Sequence, residues 1–372
     1  MHGYLSICLL AIALLLLACR DTAATLSQPV AHSVQSNQAA NLESGSGRFS
    51  EYPLPQDKSG LMRPAIDQQG RVWFSEMGQN YLTSFDPRSK AFSQIHPPHA
   101  QGGLMGVLVA SDSSIWYVEQ SANYIGCYDP VRKHFTTYQL PQITTTDQNN
   151  KAHTLSLPVA PNELIADHKG NIWFTEMNAD ALGMLNSKTG TFTHYPLTMP
   201  RTTQTLSPYS LTIDKQGLIW FTESGTGKIG SLDSQTGALH TYNLPADAQS
   251  IAMSPMEIIS GPDGSLWITT FNTSNLIQFN PHTANFAIYP APATGKGING
   301  IYGLVAGPSN NELWATVSAA NAIMRFDISS KSFTSYPIPT PNSTPLGIAI
   351  APDHALWFTE SAANQLGTLQ PS

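Results

Sequence analysis

"GLIWFTESGTGKIGSLD", residues 217 to 233, returns along the chain in altered copies: "GNIWFTEMNADALGMLN" at 170 to 186 and "HALWFTESAANQLGTLQ" at 354 to 370. All seven tryptophans occupy its Trp position: Trp73, Trp116, Trp173, Trp220, Trp267, Trp314 and Trp357, spaced by 43, 57, 47, 47, 47 and 43 residues. A period near 47 signals a repeat architecture, either a propeller or a helical array. The content of each unit excludes helices. A short apolar run such as Leu211-Thr212-Ile213 leads to a Gly-containing turn, the Trp strand, a second turn, "IGSLD", and an aromatic alternation such as "HTYNLP". That order reads as four short strands per unit.

The fourth-strand motif runs out of phase with the tryptophans. It first occurs as "RFSEYPLP" at 48 to 55, before any Trp, and last as "SFTSYPIP" at 332 to 339, so the final Trp unit ends at Ser372 without one. The N-terminal strand is therefore expected to complete the last blade and remove an open sheet edge. The predicted fold is all-β, a seven-bladed β-propeller over residues 47 to 372.

Upstream, residues 1 to 19 carry an apolar run from Leu5 to Ala18, short for a membrane span and suited to a signal sequence. It ends Leu16-Leu17-Ala18-Cys19, which resembles a lipobox with Cys19 as the lipidated residue. The expectation is an extracytoplasmic, lipid-anchored protein; secretion, or an uncleaved N-terminal anchor, is the alternative because His2 stands where Lys or Arg is usual. Residues 20 to 46, rich in small polar residues, read as a flexible tether. Cys8 and Cys19 belong to the leader, so Cys127 is left as a small packing residue with no disulfide partner. Only 12% of residues are charged, at net −7, and no basic stripe exists to neutralise phosphates, which excludes nucleic acid as a partner. A monomer is expected.

Two columns are candidates for the funnel at the channel mouth. Three residues after each Trp stand Glu76, Glu119, Glu176, Glu223, Thr270, Val317 and Glu360. Converging carboxylates would attract Mg²⁺ or Ca²⁺, with Glu223 and Glu360 the candidate metal ligands; the alternative is that each carboxylate bonds within its own unit. The second column starts the inner strands: Met62, Met105, Asn162, Tyr209, Met256, Tyr302 and Leu346, with Arg63 and Glu257 beside it. Met62, Arg63, Met105, Asn162, Tyr209, Met256, Glu257 and Tyr302 form the candidate ligand-binding set, with channel packing the alternative. The long connection at 141 to 161 reads as a lid or binding loop. In "HPPHAQGG", His96 and His99 are expected to be solvent-exposed loop residues rather than a metal pair.

The "WFTE…IG" cadence with "YPLP" strand ends resembles the streptogramin lyases, or virginiamycin B lyases, from about residue 48 to 370. The resemblance implies a seven-bladed propeller and a Mg²⁺-dependent elimination that opens the ester of type B streptogramins. It also implies catalytic side chains at positions this chain fills otherwise. The first inner strand, where the family has a Tyr, reads Leu61-Met62-Arg63; the sixth, where it has a His, reads Ile301-Tyr302-Gly303. The family's Glu-Pro-His-Gly is here Thr344-Pro345-Leu346-Gly347, and a further metal-holding Glu is replaced by Ser361. Elimination needs a base and an acid or metal at the leaving oxygen, and Leu346 and Thr344 supply neither. The expected function is binding of a small molecule, peptide or protein on the funnel face without a certain cofactor, Mg²⁺ being implied only by the resemblance; the alternative is the lyase reaction itself.

Overall fold

The computed structural model describes residues 35–36, 42–142, 144–146, 152–154, 158–197, 205–246, 252–292 and 300–372. The proposed signal sequence, Cys8, Cys19 and most of the tether lie outside them. Seven blades, each built on four antiparallel strands, follow one another beside one two-stranded sheet, and no helix occurs among the described residues. Blade 4 is typical: Pro208–Ile213 innermost, then Ile219–Glu223, Lys228–Leu232 and Leu239–Asn243.

The recurring motif is explained residue by residue in this blade. The second strand is buried along its whole length in five blades, and in all but its first residue, Asn171 or Glu312, in the other two, because neighbouring blades cover both of its faces. Trp220 packs on Phe279 of blade 5 at 5.6 Å, and Trp267 on Phe326 of blade 6 at 5.5 Å. Trp357 meets Phe85 of blade 1 at 5.5 Å, so the indole is an inter-blade residue. The Trp220 N–H, which cannot go unpaired in a core, donates to Asp214 Oδ2 at 2.7 Å. Asp214 Oδ1 accepts the turn N–H groups of Gln216 and Leu218, so one side chain both shapes the turn and anchors the indole. Asp67, Asp167 and Asp263 do the same for Trp73, Trp173 and Trp267.

Phe221 lies over Gly230 of the third strand, where a Cβ would meet the ring at 2.2 Å; Phe174 over Gly183 and Phe358 over Gly367 repeat the arrangement. That close approach ties the "WF" to the "IG". Thr222 joins two blades: its Oγ1 accepts the Ser210 N–H of its own inner strand at 3.0 Å and donates to the Met256 carbonyl of blade 5 at 2.8 Å. Thr269 joins Glu257 to Tyr302, and Thr316 joins Gly303 to Leu346, in the same way.

Every inner strand contains a register irregularity after its first residue, as between Pro208 and Leu211. Such a bulge turns two consecutive residues toward one side. Gly347 lets two inner strands approach there, since a Cβ would lie 2.6 Å from Arg63 Cα.

Gly47–Pro53 pairs antiparallel with Gln365–Pro371 as the outer strand of the last blade, in seven register pairs from Gly47↔Pro371 to Pro53↔Gln365. The chain before it is not wholly a tether. Leu42–Ser44 adds in parallel to the outer strand of blade 6, and Gln35–Ser36 adds to that of blade 5. Outer strands present unpaired backbone groups, so a polar segment of low apolar content still finds hydrogen bonds there.

Candidate functional site

The inner strands bring the predicted ring together at the channel mouth, and they close it. Tyr209, Met256 and Tyr302 form one buried cluster, with Met177, Phe271 and Leu346 against it. The Tyr209 and Tyr302 hydroxyls share a hydrogen bond, and their rings meet edge to face. Met62, Arg63, Met105, Asn162 and Gly106 complete the wall around these tyrosines, leaving no space for a water molecule between them. Among the predicted residues, packing and polar function thus coexist: Tyr209, Met256 and Tyr302 plug the channel while Arg63, Asn162 and Glu257 hold charge and hydrogen-bonding capacity beneath it.

The bulge places a second column just inside the first. Arg63 reaches from blade 1 across the channel to Glu163 of blade 3, Nη1 to Oε2 2.9 Å, and to Glu257 of blade 5, Nη2 to Oε1 2.6 Å. Its guanidinium lies 5.3 Å from the Tyr209 ring centroid. Ser210 Oγ of blade 4 donates to Glu257 Oε2 at 3.0 Å. Asn162 Nδ2 donates to the Tyr209 carbonyl at 2.9 Å, while its Oδ1 is buried with no donor. Glu163 belongs to this cluster and was not among the candidate residues read from the sequence. Its signal is its place in the column of Arg63 and Glu257, one residue after the predicted ring.

Burial sets the electrostatics of this cluster. It works against the charge on Arg63, but Glu163 and Glu257 outweigh it and raise the guanidinium above its usual value. Burial pushes the Glu163 carboxyl up to about 8 against the pull of Arg63, with Glu257 adding to the rise. Glu257 is raised for the same first reason, opposed by Arg63 and Ser210. Near neutral pH one of the two carboxyls therefore keeps a proton, which leaves the buried set close to electrically neutral.

The glutamate column does not converge on the funnel. Each member is at most 2% exposed and finds its partner inside its own blade or in the loop that enters it. Glu223 accepts from Thr226 Oγ1 at 2.7 Å, Glu360 from Gln365 Nε2 at 3.1 Å, and Glu176 lies 3.1 Å from His194 Nδ1. The candidate metal ligands Glu223 and Glu360 sit in blades 4 and 7. No group of three or more His, Cys, Asp or Glu among the described residues could share an ion. The cause is strand direction: each carboxylate ends a fully buried strand, so it turns toward its own third and fourth strands.

The two loop histidines part company. His96 packs on Tyr81 with tilted rings, centroids 4.1 Å apart. His99 stacks on Tyr124 at 3.8 Å and holds Glu119 Oε2 through Nδ1 at 2.5 Å, an acidic partner its own loop does not reveal. Within the long connection, 144–146 pairs antiparallel with 152–154; residues 143, 147–151 and 155–157 of the expected lid lie outside the described residues. Cys127 is half-buried and free, and burial pushes its thiol up to about 11, away from reactivity.

At the positions where the lyase resemblance expects catalytic groups, Leu346 packs on the Tyr209–Met256–Tyr302 cluster. Thr344 takes a left-handed φ of 53° and accepts the Ser361 N–H at its carbonyl, 3.1 Å away. This donor set of an aliphatic side chain and two neutral hydroxyls does not fit the Mg²⁺ implied by that resemblance.

The family model of the virginiamycin B lyases matches residues 135–303 and 203–372, which together reach from 135 to 372. A streptogramin B lyase structure superposes with a TM-score of 0.75 at 27% identity, over 88% of this chain and 98% of that one. Virginiamycin B lyase from Staphylococcus aureus gives 0.74 at 22% identity, over 87% and 99%, a likeness of fold. The same figures hold for its catalytically inactive variant with quinupristin. No curated protein matches.

Proposed function

Because this chain belongs to the virginiamycin B lyase family, and fills the positions of the expected catalytic groups with Leu346, Thr344 and Ser361, we propose that it is a binding member rather than a lyase. It acts as a monomeric, extracytoplasmic propeller, held at the membrane through Cys19, and takes its ligand at the channel mouth. One observation carries the reading. A ring that served packing alone would be apolar throughout, whereas this one covers an Arg63–Glu163–Glu257 cluster and an unpartnered Asn162 amide oxygen. Buried polar groups of this kind are costly to keep without a role. The export assignment is supported by the Leu16–Cys19 stretch and the low charge of the surface.

Two measurements test it. A thermal-shift screen of the purified chain should find a small molecule or peptide that raises the melting temperature, and joint replacement of Tyr209, Met256 and Tyr302 by Ala should abolish that shift. Incubation with a type B streptogramin and Mg²⁺ should leave the cyclic ester intact by mass spectrometry. A linearised product would overturn the non-lyase reading outright.

A further inference from the structure

The channel mouth holds more carboxylates than cations. Two carboxylates face one guanidinium, and among the described residues Arg63 is the only cation paired with either. The groups that face Glu163 and Glu257 are Arg63 from blade 1, Ser210 and Tyr209 from blade 4, and Tyr302 from blade 6, beyond Tyr209. None of the other three brings positive charge. A second, independent observation points the same way. Asn162 is 1% exposed and lines the recess with Met62, Arg63, Met105, Tyr209 and Tyr302, yet its Oδ1 accepts no hydrogen bond.

We propose that the channel mouth binds a singly charged organic cation, an ammonium group on an apolar body. The ammonium would lie against Glu163 and Asn162 Oδ1, and the body between the Met and Tyr side chains. The inference rests on the funnel-face reading above and names its ligand class. Arg63 already shows that a cation is accommodated over the Tyr209 ring, at 5.3 Å. Met62 and Met105, unbranched and with three rotatable bonds each, are the side chains that swing aside on entry. The closed form balances its charge by retaining a proton on the carboxyl pair, with Glu163 pushed up to about 8 by burial. An arriving cation takes over that task, so binding releases the proton to solvent.

The test is titration calorimetry on the full chain near neutral pH with butylammonium chloride, 1-butanol and potassium chloride. Butylammonium should bind, with an enthalpy that changes with the ionisation enthalpy of the buffer as a proton leaves; butanol and potassium should not bind at the same concentration. Glu163→Gln should weaken butylammonium by about tenfold, the loss of one charge-assisted contact. Should that variant not fold, Asn162→Ala should weaken binding in the same direction. Equal binding of butanol, or binding indifferent to both substitutions, overturns the cation and leaves the funnel as a site. Potassium binding as tightly as butylammonium overturns the organic ligand. Absence of binding by butylammonium overturns the cation, and absence of any hit in the thermal-shift screen removes the funnel as well.

Discussion

Glu360 ends the second strand of the last blade, fully buried, with Gln365 Nε2 on one oxygen and nothing on the other. Burial pushes its carboxyl from 4.5 up to about 7, against hydrogen bonds from Gln365 and Ser343. An acid raised in this way keeps a proton in the fold that the unfolded chain has released. Its contribution is fully present below pH 4.5 and is lost as pH rises through about 7. A displacement of this size corresponds to about 3 kcal/mol. Glu360→Gln keeps an acceptor for Gln365 and cannot ionise. Urea unfolding of wild type and variant should therefore give similar free energies at about pH 4.5, and the variant should be more stable by about 3 kcal/mol at about pH 8. The Glu163 carboxyl, pushed up to about 8, acts with the same sign and is common to both proteins, so it cancels in the difference. Asp86, Asp129 and Asp233, held low first by backbone N–H groups of Arg88, Arg132 and Gln235, act in the opposite sense only below 3.8. A variant with no pH-dependent advantage, or one destabilised equally across the range, would refute the argument that this carboxylate is a buried and poorly paired charge.

Three other perturbations address the fold. Thr222→Val strands the Ser210 N–H and the Met256 carbonyl, and should cost about 2 to 4 kcal/mol in urea unfolding; a cost below about 0.5 kcal/mol would mean the hydroxyl does not join the blades. Gly230→Ala drives a methyl into the Phe221 ring, 2.2 Å away, and should lower stability by about 1 to 3 kcal/mol with the same transition slope. Deleting residues 1–46 should leave a cooperative melt, because Gly47–Pro53 remains to close the ring, whereas deleting 1–53 should give a broad transition and aggregation by size-exclusion chromatography.

Much of this was legible in the sequence because it repeats. Seven tryptophans in one column identify a core position, and a YPLP strand standing before the first of them announces how the ring closes. The Asp214–Trp220 and Phe221–Gly230 pairings were present in the same repeat, but their meaning depends on which side chains meet across strands. The candidate site was only half legible. Tyr209, Met256 and Tyr302 do meet at the mouth, yet the alternation rule for strands places Glu163 on the opposite side from Asn162. The bulge breaks that rule, and a bulge leaves no mark in an inner strand such as "PNELIA". The glutamate column was open to two readings for a related reason. Strand-end side chains follow the local backbone, and a carboxylate that serves Thr226 or Gln365 in its own blade looks in sequence like one that lines a funnel.

Ring closure also has a temporal side. The strand Gly47–Pro53 finds its partner only in Gln365–Pro371, so the first blade strand made is among the last to be paired. Contacts between such distant residues are slow to form, because a long loop must close before they stabilise anything. Until then the outer edge left open at Gln365–Pro371 and the unpaired strand near the N-terminus are both free to join another chain. A protein built this way is at its most vulnerable in the interval between the completion of its chain and the completion of its circle, and helper proteins that shield strand edges would matter most at that moment.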